Sequence, residues 1–136
     1  MSNLSKQEML EALAEAMILN ADGGCSEYME CAGYDDDEIP TIDDLICELD
    51  GEPSYALEYC SFSKDSENYI VQKENSRGAE GDGADMFTTF KITRKSDNAV
   101  GHLEFCGRYS SWDSSEFYEC YAVTPVEVTV VQYKRV

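Results

Sequence analysis

Histidine occurs once in this chain, at His102, and basic residues number only 10 against 28 acidic ones in 136 residues. Nucleophilic sites of the Ser-His-Asp or Cys-His kind need an imidazole beside the nucleophile, so His102 alone could serve one. No serine lies in a G-x-S-x-G elbow. His102 shares a strand face with Val100, Glu104, Cys106 and Arg108, a mixed pattern that reads as exposed, and the expectation is a surface histidine and no enzyme. Long apolar runs are missing as well. None approaches the roughly 18 residues of a membrane span. Residues 1–19 carry Glu8, Glu11 and Glu15 where a signal peptide would be apolar, which predicts a protein of the cytoplasm.

Metal-binding spacings are also lacking. The six cysteines, Cys25, Cys31, Cys47, Cys60, Cys106 and Cys120, contain no C-x-x-C pair. Without an export signal they read as thiols, with Cys106 and Cys120 acting as small apolar groups in strands. The acidic loop residues Asp35, Asp36, Asp37 and Glu38 lack the alternate ligands, central glycine and bidentate glutamate of an EF-hand loop. The glycine-rich segment Gly78-Ala79-Glu80-Gly81-Asp82-Gly83 has carboxylates where a phosphate loop needs a lysine, so it reads as a hairpin connection. No metal or cofactor is expected.

Negative charge is abundant, and it is uneven. The formal net charge is −18. Residues 1–52 hold fifteen acidic residues against Lys6 alone, a balance of −14, while residues 53–136 hold thirteen against nine basic ones, a balance of −4. Such a field repels nucleic acid and anionic membranes and attracts basic protein surfaces.

The chain suits one α+β domain, an acidic helical part over 1–52 and an antiparallel β part over 53–136. Ser5 and Glu8 have capping-box spacing, with Leu4 and Met9 at the staple positions, and Met9, Leu10, Leu13 and Met17 recur at helical intervals. Asn20 to Gly24 stops this helix. A short helix is expected over Cys25–Ala32. Thr41 can cap another, with Asp43 and Asp44 in its first turn and Ile42, Leu45, Ile46 and Leu49 as its buried stripe. Tyr55–Phe62 is ambiguous and is read as a strand. Strands are expected over Asn68–Lys73, Asp85–Lys95, Gly101–Tyr109, Glu116–Val123 and Val126–Arg135. In the second of these, Met86, Thr88, Phe90 and Ile92 share a face, and Ser96-Asp97-Asn98 forms the turn that follows it. The expected product is a five- or six-stranded meander with two or three helices packed on one face.

Residues 78–133 also carry a combination of motifs. Gly78 to Gly83 is followed by an aromatic strand, then by Gly107-Arg108-Tyr109-Ser110-Ser111-Trp112. Val123-Thr124-Pro125-Val126-Glu127-Val128-Thr129-Val130 and Tyr133 close the pattern. This order resembles a group of small uncharacterised bacteriophage proteins with G-x-E-G-x-G, G-Y-x-S-x-x-G and V-x-P-x-x-V-T-V-x-x-Y segments. Asp113-Ser114-Ser115 departs from it where a glycine is usual. The resemblance implies a phage origin and no particular activity.

The function these features favour is a phage-encoded acidic binding protein that inhibits a host defence or nucleic-acid-processing protein, CRISPR effectors included. It would occupy a basic surface in the manner of a DNA mimic. The contact residues expected are Asp35, Asp36, Asp37, Glu38, Asp43, Asp44 and Glu48, with Tyr109 and the single tryptophan, Trp112, as aromatic anchors. The alternative is a structural or assembly protein of the virion.

Overall fold

Ser5 opens the first helix as its sequence requires. In a computed structural model that describes residues 4–20, 25–31, 33, 40–60, 66–78, 84–109, 116–125 and 131–136, helix α1 runs Lys6–Leu19, and the Ser5 hydroxyl accepts from the Glu8 N–H at 3.1 Å. The other half of the box is not made. The Glu8 carboxylate turns away from Ser5 and engages Arg94 and Tyr69. Leu4 and Met9 are buried, and both lie against Gly101 of the sheet. Asn20 ends α1, its side-chain amide donating to the Ala16 carbonyl at 2.7 Å.

Helix α2 is Ser26–Cys31, with Tyr28 and Met29 buried. Helix α3 is Ile42–Gly51; Thr41 caps it by accepting from the Asp44 N–H at 3.1 Å. Leu45, Ile46 and Leu49 enter the core as their spacing predicts, and Ile42 is half-buried. The strand expected over Tyr55–Phe62 is instead, over its described part, helix α4, Ser54–Tyr59; residues 61 and 62 lie outside the described residues. Pro53 already has helical backbone angles and starts the turn, and Ala56 is buried between the neighbouring elements. Local alternation is a weak signal over so few residues, and packing against helices decided the outcome.

Among the described residues four strands follow: β1 Tyr69–Gly78, β2 Asp85–Arg94, β3 Val100–Arg108 and β4 Glu116–Val123. They form one antiparallel meander in the order β1-β2-β3-β4. The inward face carries Met86, Thr88, Phe90 and Ile92 from β2 and Leu103 and Phe105 from β3, all buried. Phe90 and Phe105 meet edge to face, with centroids 5.9 Å apart, an arrangement worth about 1 kcal/mol beyond simple burial. Helices α1 and α3 cover this face, α1 against β1 and β3 and α3 against β4. The β2–β3 turn places Asn98 at φ 58, a conformation asparagine tolerates, and Asp97 accepts from the Ala99 N–H.

The strand expected over Val126–Arg135 is not found over its described part, because residues 131–136 are exposed and belong to no strand; residues 126–130 lie outside the described residues. Ser54 supplies a physical reason. Its hydroxyl accepts from the Phe117 N–H at 2.8 Å and donates to the Phe117 carbonyl at 3.2 Å. Those are edge groups that a strand returning along β4 would need. Edge strand β1 carries a bulge at Glu74 and an exposed Lys73, two features that discourage pairing with another sheet.

Candidate partner-binding surface

A capped helix start fixes the direction of its first carboxylates. With Thr41 holding the Asp44 N–H, Asp43 and Asp44 stand in the first turn of α3, where the positive end of the helix favours them. Both are exposed, and neither makes an ion pair among the described residues. Glu48, one turn on from Asp44, is half-buried; burial, and then the Glu52 carboxylate, push its pKa up from the ordinary range. Asp35, Asp36, Asp37 and Glu38 fall outside the described residues, as does Trp112. Tyr109 follows β3 and is half-buried, its N–H donating to the Ala84 carbonyl at 2.9 Å. No hydrogen bond or ion pair among the described residues joins Tyr109 to α3. The structure thus keeps Asp43, Asp44 and Glu48 on one helix and puts Tyr109 on a separate element.

Elsewhere Asp50, Glu8 and Asp97 have structural partners. Lys6 meets Asp50 at 2.8 Å and joins α1 to α3. Arg94 gives one guanidinium nitrogen to both Glu8 oxygens at 2.8 Å and grips Asp97 with the other two at 2.9 and 2.8 Å. The guanidinium holds the Glu8 carboxyl below its usual range and Asp97 down at about 2. Tyr69 donates to the same Glu8 carboxylate at 2.9 Å. Burial first, and then that bond with Glu15 and Glu11 close by, push its phenol up to about 12. Sequence spacing assigned Glu8 to its own helix cap; nothing in it revealed a partner 86 positions away.

The outward face of the sheet differs from the expectation too. Its histidine is not a free surface group. The His102 side chain is 12 % exposed and lies 3.0 Å from Glu74. Glu104 beside it is only 7 % exposed and accepts from the hydroxyls of Thr89 at 3.0 Å and Tyr121 at 3.1 Å. Tyr121 is pushed up to about 12, by burial and then by this carboxylate. Glu74 from β1, Thr89 from β2 and Tyr121 from β4 thus engage β3 groups that alternation alone marks as exposed. Among the described residues no group of three or more His, Cys, Asp or Glu side chains converges as metal ligands, and no helix is long and apolar enough to cross a membrane. No family model, no curated protein and no solved structure matches this chain.

Proposed function

We propose that this protein is a phage-encoded acidic binding protein that inhibits a host protein by occupying a basic, nucleic-acid-binding surface. The observation that carries the reading is the contrast between paired and unmatched carboxylates in the helical part. Glu8 and Asp50 are engaged by Arg94 and Lys6, while Asp43 and Asp44 face solvent on a capped helix with no ion pair among the described residues. Unmatched carboxylates repel one another, a cost that packing alone does not require and that the helix dipole offsets at Asp43 and Asp44. Duplex DNA presents one charge per about 1.7 Å, and a surface rich in carboxylates meets the same cleft through the same long-range attraction. Asp35, Asp36, Asp37 and Glu38 precede this helix in the chain and extend its acidic run. Tyr109 and Trp112 would anchor the rim of the contact.

Replacing Asp35, Asp36 and Asp37 by Asn tests the reading. The variant keeps the wild-type melting temperature or exceeds it, and its complex with the host target weakens. The wild-type complex weakens steeply with added salt, because exposed charges are screened within about 10 Å at 0.1 M. A triple variant that binds as tightly as wild type, or an affinity that ignores salt, would move the contact to Tyr109 and Trp112. Capture of capsid or tail proteins in place of a host protein would favour a role in virion assembly.

A further inference from the structure

Residues 131–136, Val131-Gln132-Tyr133-Lys134-Arg135-Val136, reverse the character of the chain. They carry two cations and no acid, while the remaining residues hold 8 basic against 28 acidic ones, a balance of −20. Tyr133 is 93 % exposed and Val131 is 70 % exposed, so a large ring and a β-branched side chain stand in water with their apolar surface unused. The sheet edges receive such a segment poorly. Ser54 holds the Phe117 edge groups of β4, and β1 is bulged at Glu74.

A cavity of about 540 Å³ opens at one end of the sheet, within the range of pockets that bury small ligands. Leu4 and Met9 wall it from the helix side, Val100 from the start of β3, and Ala122 and Val123 from the end of β4. Asp97 also lines it, and Arg94 divides its one positive charge between Asp97 and Glu8. The two carboxylates therefore outnumber the guanidinium that holds them. Tyr133 is not among the residues that line this cavity, so the segment does not fill it within its own chain.

We propose that residues 131–136 of one copy dock on a second copy of this chain, with Tyr133 entering the cavity and Lys134 and Arg135 meeting the carboxylates beside it. Apolar surface on the segment matches apolar walls in the cavity, and its two cations match the sign of the acidic body. Each copy gives one segment and receives one, which closes a two-fold dimer. The segment is short and the two bodies repel, so the dimer is weak and reversible. Asp43 and Asp44 do not line the cavity, and the dimer stands or falls independently of any host partner they bind.

The test is sedimentation equilibrium of the full chain at about 0.1 M salt, where distant charges are screened and contact pairs persist. Protein concentration rises to about 1 mM, and the methyl resonances of Leu4, Met9 and Val123 are followed in parallel. The expected result is a monomer–dimer equilibrium, with methyl shifts that grow with concentration. Tyr133→Ala alters an exposed side chain, leaves the fold as it is, and should raise the dimer Kd about tenfold or more. Lys134→Glu combined with Arg135→Glu should weaken the dimer as well, and so should Ala122→Trp, which fills the cavity from an exposed position. A monomer at every concentration, or a dimer that any of these three variants leaves intact, would overturn the proposal. So would methyl shifts on Tyr133→Ala that do not depend on concentration, since they would place the segment in its own copy's cavity. If Ala122→Trp folds poorly, the two variants in the segment decide the matter.

Discussion

On the sheet, Glu104 sits almost out of solvent between the hydroxyls of Thr89 and Tyr121, and Glu74 reaches His102. On α3, Asp43 and Asp44 project into water with no ion pair among the described residues. Glu104 and Glu74 link neighbouring strands, while Asp43 and Asp44 are held outward. A buried carboxylate without donors would be strongly destabilising, so Glu104 must be satisfied where it stands. An exposed carboxylate carries no such demand, and only repulsion and the helix dipole act on Asp43 and Asp44. Charge content alone therefore does not mark a binding surface. What separates the two sets is whether the fold supplies a partner.

Breaking the sheet side should have the largest effect. A Cβ at Gly107 would lie 2.6 Å from the Phe117 Cα and collide with the Glu116 carbonyl, both backbone atoms at the β3–β4 bulge. Gly107→Ala should lower the unfolding free energy by about 3 kcal/mol in urea titration. A Cβ at Gly51, the last residue of α3, would meet nothing within 4 Å, and Gly51→Ala should stabilise the protein by about 0.5 kcal/mol.

A smaller effect separates paired from unmatched carboxylates within the helical part. Glu8→Gln removes the charge that Arg94 and Tyr69 engage, and should lower stability by about 1 kcal/mol, since the pair is partly exposed. Asp43→Asn should change stability by about 0.3 kcal/mol at most, the dipole benefit and the relieved repulsion opposing each other. Equal losses in the two variants would erase the distinction.

The pH response sharpens the same contrast. Glu8 and Asp97 are held low by Arg94, so their contribution is present above the ordinary carboxylate range and is lost as pH falls, down to about 2 for Asp97. Tyr69 and Tyr121 are raised to about 12, so theirs is intact below about 10 and lost as pH climbs towards 12. Chemical denaturation across pH should show both limbs, and Glu8→Gln should flatten the acid one.

Much of the framework was legible in the chain. Ser5 and Thr41 cap the helices they precede, Met86 to Ile92 alternate into the core, and β4 has the bounds its sequence suggests. These signals are local: a cap needs three residues and a strand face needs every second one. What escaped was long-range. Glu8 left its own cap for Arg94 and Ser54 took the β4 edge, contacts set by packing and not by spacing. His102 was misread for the same reason, because its cover comes from strands on either side. Of the candidate surface, the sequence marked Asp43, Asp44 and Glu48 correctly as one helical segment. It could not separate them from Glu8 or Asp50, whose charges are spoken for.

If the acidic residues act as proposed, they compete with nucleic acid for basic proteins. The most direct measurement is release of host nucleic-acid-binding proteins from immobilised duplex DNA by increasing amounts of this protein. Wild type should release at least one such protein, and a variant with Asp35, Asp36, Asp37, Asp43 and Asp44 replaced by Asn should need about tenfold more or fail to release it. Release by the variant at wild-type concentrations, or no release by wild type at low salt, would contradict the account.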